Sequence, residues 1–211
     1  MKEDKEVLIE RLKRYGYIKS KRVEQAFMST PRELFVPEHL RDCAYADTPL
    51  EIGNGQTISA PHMIAIMCEA LDLKQRQKVL EVGAGSGYHA AVVAKIIGEE
   101  GHVYTVERIP DLAEKAKTNL KKAGVENVTV VVGDGSIGLP EHAPYDRIYV
   151  TCAAPSIPPP LEEQLKENGI ILIPVGGTFC KLVKGVKVKG KLKTEELSGC
   201  AFVPLIGKYG H

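Results

Sequence analysis

The 211-residue chain has no apolar run approaching the length of a membrane span, no internal repeat and no low-complexity tract. It also lacks an excess of charge of either sign. Its 28 Lys and Arg against 27 Asp and Glu leave a formal +1, so no global field draws it to nucleic acid or to a membrane surface. Cys43, Cys68, Cys152, Cys180 and Cys200 are far apart, odd in number and include no CxxC, and the histidines show no ligand spacing. A zinc site or disulfide framework is therefore not expected, and buried free thiols in a reducing compartment are. The opening MKEDKEVLIERLKRYG is too charged to read as a signal peptide. A cytoplasmic, monomeric, metal-free protein is the expectation.

What is present is organised around Lys78 to Gly98, KVLEVGAGSGYHAAVVAKIIG. Val79, Leu80 and Val82 form a short apolar run of the kind that makes a buried parallel strand. Gly83, Gly85 and Gly87 follow at alternate positions, and the pattern from Ala90 onward suits a buried helix. Strand, glycine turn and helix together make a nucleotide-type cofactor site at the carboxyl end of a sheet.

Upstream, residues 3–15 predict an amphipathic helix with Val7, Leu8, Leu12 and Tyr15 on one face, stopped by Gly16. Ser20 can cap a second helix through Met28. A long Pro-punctuated stretch over 31–60 reads as a cap over the sheet, and Pro61 suits the first turn of a helix over 61–72 entered from Ser59. Downstream, strands are predicted at His102–Glu107, Asn127–Val132, Tyr145–Thr151 and Gly169–Val175. Helices at Pro110–Ala123 and Leu161–Lys166 fall between them. This alternation specifies an α/β sheet with right-handed crossovers. Phe179–Lys189 and Glu196–Leu205 look like antiparallel edge strands.

The third glycine of a dinucleotide fingerprint falls on Tyr88, which would push helix and strand apart. Glu81-x-Gly83-x-Gly85-x-Gly87 has instead the spacing used by Rossmann-like S-adenosylmethionine-dependent methyltransferases. Glu107 ends the second strand, where an acid can accept both ribose hydroxyls. Asp134 and Gly135 end the third, where a carboxylate can take the adenine amino group and a glycine lets the ring approach. Ser86 offers a hydroxyl inside the turn. Alone, Glu107 reads as a solvated strand-end acid and Asp134 as a turn-forming Asp-Gly; at consecutive strand ends they point to S-adenosylmethionine.

Several segments resemble one family. GQTISAPHM, EVGAGSGYHAAVVA, VYTVER, VVVGDG, APYDRIYVTCAAP and GIILIPVG occur in the order seen in protein-L-isoaspartate O-methyltransferases. PRELFVP and FVPLIGKYG also look like that family, so that the resemblance covers roughly 20–211. It implies a Rossmann-like methyltransferase: a mostly parallel sheet with antiparallel edge strands and an N-terminal helical extension. Residues 1–60 would be helices and cap on the same domain as the methyltransferase unit, 61–211. It implies repair of damaged proteins, by methylating the α-carboxylate of L-isoaspartyl residues and, weakly, that of D-aspartyl residues. The methyl ester then closes to succinimide, and S-adenosylhomocysteine is the co-product.

The serine matching Ser59 is the family's active-site residue. Thr57, Ile58 and Ser59 would join Gly83, Gly85, Ser86, Glu107, Asp134 and Gly135 around the methyl donor. Thr57, Val175 and Val203 would wall the substrate, with Gly176 beside them. From the residues themselves, Ser59 also reads as a helix N-cap, and Thr57 and Ser59 are placed to bond a carboxylate at a helix N-terminus. His62 is expected to be structural or to line the pocket. Mammalian members carry a histidine where this chain has Ile64, so no cofactor contact transfers there.

A methyltransferase acting on a small carboxylic acid is the alternative. An NAD-dependent oxidoreductase is disfavoured by Tyr88. A base N-methyltransferase would show an (Asp/Asn)-Pro-Pro-(Tyr/Phe) segment where this chain has Thr151 to Pro155. A non-catalytic sensor would have no reason to keep Thr57 and Ser59.

Overall fold

Apolar side chains on the two faces of the inner strands feed two cores, one on either side of a central sheet. The computed structural model describes residues 2–177 and 179–211. Helices α1 (Lys2–Arg14) and α2 (Lys21–Ser29) lead into two short 3-10 helices and a two-stranded hairpin, β1 (Leu50–Gly53) and β2 (Gln56–Ile58). Then come α3 (Pro61–Ala70), β3 (Lys78–Val82), α4 (Tyr88–Ile97), β4 (His102–Glu107), α5 (Pro110–Lys122) and β5 (Val128–Val132). The chain finishes through β6 (Tyr145–Val150), α6 (Pro159–Gln164), β7 (Leu165–Gly176), β8 (Cys180–Val188) and β9 (Lys191–Cys200). Among the described residues, no helix is long and apolar enough to cross a membrane.

The seven-stranded sheet runs β5-β4-β3-β6-β7-β8-β9, parallel from β5 to β7 and antiparallel beyond. The strand order reverses between β3 and β6, and such a switch point opens a crevice at the carboxyl ends of the strands. Along β3, Val79 joins the core shared with α1 to α5, while Leu80 and Val82 join the core beneath α6. Every residue of α4 except Lys95 is buried, as its uniform apolarity requires.

The glycine turn explains why Tyr88 is tolerated. Gly87, at φ +86°, caps α4, and a Cβ on it would meet Ala116 and Leu120 of α5 at 3.3 Å. The close approach is thus made one residue earlier. Tyr88 turns instead toward the N-terminal segment, packing edge-on against Phe35 and Phe27.

Several local expectations change. On α1 the buried face is Leu8, Ile9 and Leu12, whereas Val7 and Tyr15 are exposed; the stripe is rotated toward Ile9. Cys43 is exposed rather than buried. Helix α3 ends at Ala70, and its N-cap is Ala60, with no capping bond from Ser59. The free amide there is served from the cap segment, by Asp47 Oδ1 accepting from His62 N at 2.9 Å. Helix α6 starts and stops two residues early, and β7 begins at Leu165.

The last strand is Lys191–Cys200, not Glu196–Leu205. Lys189 and Gly190 both take positive φ, which makes the tight two-residue turn of a hairpin and pairs Val188 directly with Lys191. The lysines around it suit an edge, where charge discourages further pairing. Freed from the sheet, the tail runs alongside the segment that follows β6: Ala153 N donates to Val203 O at 2.8 Å and Leu205 N to Ala153 O at 2.7 Å.

Candidate active site

The crevice at the switch point is an open cleft. Its floor is the glycine turn. Gly83, at φ +95°, lies so close to β6 that a Cβ would sit 2.4 Å from Thr151 Oγ1. Thr151 Oγ1 donates to Gly83 O at 2.7 Å, fixing the turn against the neighbouring strand. One wall is the end of β4. Glu107 Oε2 accepts from Gly85 N at 2.9 Å, and Oε1 accepts from Ile109 N at 3.0 Å. A carboxylate has about four lone-pair directions, so each oxygen retains capacity for a ligand hydroxyl.

The facing wall is the segment between β2 and α3. Thr57, Ile58 and Ser59 all line the cleft, brought there by the β1–β2 hairpin, whose Ile52 packs over Gly85. Ser86, Gly135 and Val203 complete the part of the wall anticipated from sequence.

Three anticipated residues, Asp134, Val175 and Gly176, stand elsewhere. The Asp134 carboxylate is turned to the C-terminal tail: Oδ1 accepts from Ser136 N and Oγ, and Oδ2 from Lys208 N at 2.8 Å. Burial works to raise its pKa, but the bonds from Lys208 and Ser136 outweigh that and hold it below the usual carboxylate value. Val175 is half-buried, pairs with Ala154 and is not on the cleft wall. His62 is off the wall too; its Nδ1 meets Asp47 Oδ1 at 2.9 Å and its ring lies against Tyr17.

Other lining residues were assigned no role from the sequence. Glu81 is fully buried beneath the turn, with Thr105 Oγ1 donating to its Oε2 at 2.5 Å, and burial pushes its pKa up to about 8. His89 is held neutral, its pKa pushed down to about 3 by burial, and the Cys152 thiol is pushed up to about 12 chiefly by burial. Neither is a base or nucleophile near neutral pH. Thr151, Ile64 and the tail residues Pro204 to Ile206 also face the cleft. Beyond the anticipated Val203, the tail is brought there by its long-range pairing with Ala153, which no local pattern records.

These residues fit a nucleoside-bearing ligand: bare backbone at Gly83 and Gly85, a strand-end carboxylate and a glycine at 135 for a flat ring. A family model described as protein-L-isoaspartate(D-aspartate) O-methyltransferase matches residues 2–210. The chain is 57% identical to protein-L-isoaspartate O-methyltransferase of Hyperthermus butylicus, over 96% of this chain and 88% of that one. A solved protein-L-isoaspartate O-methyltransferase superposes with a TM-score of 0.89 at 34% identity, covering 98% of this chain and 67% of that one. A Plasmodium falciparum candidate of that class, solved with S-adenosyl-L-homocysteine, superposes at 0.84 with 28% identity, over 95% of this chain and 97% of that one.

Proposed function

Because the chain belongs to the protein-L-isoaspartate(D-aspartate) O-methyltransferase family, we propose that its cleft joins a methyl donor held by the glycine turn to a carboxylate held by Thr57 and Ser59. The protein is an S-adenosylmethionine-dependent methyltransferase of protein repair, esterifying isoaspartyl residues. Gly83, Gly85, Ser86, Glu107 and Gly135 would hold the donor, which supplies an electrophilic sulfonium methyl when bound. Asp134 would serve it only by releasing or sharing the tail amides.

The acceptor carboxylate is already ionised at pH 7 and needs no general base. The residues of the chain therefore have to orient and dehydrate rather than titrate. Thr57 and Ser59 offer hydroxyls to the carboxylate, and Ile58, Ile64 and Val203 exclude water. His89 and Cys152, held uncharged, take no proton. Residues 1–60 act as helices and cap of the same domain as 61–211. The protein works as a monomer in the cytoplasm, on isoaspartyl peptides and proteins, with D-aspartyl ones slower and with neither nucleic acid nor membrane as partner.

The observation that carries this reading is the convergence of Thr57 and Ser59 with Gly83, Gly85 and Glu107 on one cleft. The test uses tritiated S-adenosylmethionine with paired peptides that differ only as Asp or isoAsp. Labelling confined to isoAsp is expected; equal labelling of both, or labelling of a small carboxylic acid instead, would overturn it.

A further inference from the structure

Arg32, in the first 3-10 helix (Arg32–Leu34), is completely buried. A buried charge without compensation is costly, so its partners report its purpose. They are two backbone carbonyls and a ring. Nε donates to Ala44 O at 2.8 Å, Nη2 donates to Ser59 O at 2.9 Å, and the guanidinium lies 4.9 Å from the centre of the Tyr88 ring. Burial lowers its pKa to about 10, which leaves it cationic at neutral pH.

The three partners belong to three different pieces of the site. Ala44 follows the second 3-10 helix, Glu38–Cys43, in the cap segment. Ser59 lies between β2 and α3 with no side-chain capping role to hold it. Tyr88 begins α4, directly after the glycine turn. None of the two carbonyls is tied by a strand or helix ladder of its own, so the planar fork of one guanidinium sets their mutual position.

From this geometry we infer that Arg32 is a positioning residue for methyl transfer: by gripping the Ser59 carbonyl while resting on Tyr88, it sets where the Ser59 hydroxyl stands relative to the glycine turn. The inference rests on the reading of Ser59 given above. A cap that merely needed filling would accept an apolar side chain of similar size. A device for orientation would not, because the peptide plane of Ser59 would lose its one charged restraint.

The test is a double-mutant cycle of Arg32→Met and Ser59→Ala, measured with an isoaspartyl peptide at saturating S-adenosylmethionine. S-adenosylhomocysteine binding and circular dichroism are followed in parallel. Arg32→Met should lower kcat by about ten- to a hundredfold, the scale of a small misplacement of a reacting group. Binding of S-adenosylhomocysteine should change little. In the Ser59→Ala background Arg32→Met should lower kcat no further. Additive losses would overturn the inference, with Ser59 retaining its role. Full turnover in Ser59→Ala would overturn it together with the reading of Ser59. If Arg32→Met does not fold, Arg32→Lys enters the same cycle. Lysine keeps the charge without the fork, so an intermediate loss that disappears in the Ser59→Ala background supports the inference. Wild-type turnover in Arg32→Lys, or a loss that adds to that of Ser59→Ala, overturns it.

Discussion

The Glu107 carboxylate accepts the Gly85 amide at 2.9 Å, so the acid that ends β4 also braces the glycine turn of the neighbouring strand. On the proposed reading, binding of the donor and the shape of the turn are one device. Glu107→Gln replaces a charged acceptor by an amide that cannot take both the Gly85 and Ile109 N–H groups. A bond to a charged group is worth about 1.5–3 kcal/mol, so S-adenosylhomocysteine affinity should fall roughly ten- to a hundredfold. Turnover at saturation should fall far less. Calorimetric titration checks this; unchanged affinity would remove Glu107 from the site.

The tail that closes the cleft is latched by Asp134. A Cβ at Gly207 would lie 2.0 Å from Asp134 Oδ1, whereas one at Gly199 would meet nothing within 4 Å. Gly207→Ala must therefore displace the tail that carries Val203 to Ile206, and should weaken peptide and cofactor binding several-fold with secondary structure intact. Gly199→Ala should leave both unchanged. Steady-state kinetics of the two variants make the comparison, and identical behaviour would argue against the latch.

Beneath the glycine turn, Glu81 and His89 titrate in opposite senses. Burial raises the folded pKa of Glu81 from 4.5 to about 8, so its contribution to stability is present below pH 4.5 and lost as pH rises toward 8. Burial lowers that of His89 from 6.5 to about 3, so its contribution is present above pH 6.5 and lost as pH falls toward 3. Each slope is about 1.4 kcal/mol per pH unit, and the two cancel where they overlap. Relative to wild type, Glu81→Gln should gain stability as pH rises through 5 to 8. His89→Gln should gain as pH falls below 6.5. Urea unfolding across that range reads both, and parallel profiles for all three proteins would refute the assignment.

Away from the cleft, Glu69 of α3 accepts from Lys19 N, Ser20 N and Ser20 Oγ at 2.8–3.0 Å, fixing the start of α2. Glu69→Ala should cost about 1–3 kcal/mol of stability, from three groups left without that acceptor. Turnover per folded molecule should be unaffected. Thermal unfolding beside a kinetic assay tests it, and a loss of kcat would link α2 to the site.

Strand, turn and helix at 78–98 were legible because burial imposes period and composition directly on the chain. That Glu107, Gly135, Thr57 and Ser59 line one cleft was legible because the first two end or follow neighbouring strands and because their segments resemble a family. Asp134 was legible as turn chemistry with its neighbour Ser136, but nothing local shows that Lys208, 74 residues on, takes its other oxygen. The same holds for Ser59, where the capping pattern suggested a bond that Asp47 makes from fifteen residues away.

By itself, then, the sequence determined the α/β class and pointed to the methyl donor, since both are written in residue type and short spacing, while its resemblance to a family implied the acceptor. Tertiary structure alone decided the partners of buried charge and the closing of the cleft. Arg32 finds Ser59 across 27 residues, and the tail finds Asp134 across 74. Such contacts depend on where the sheet delivers its strand ends, and no local period records that.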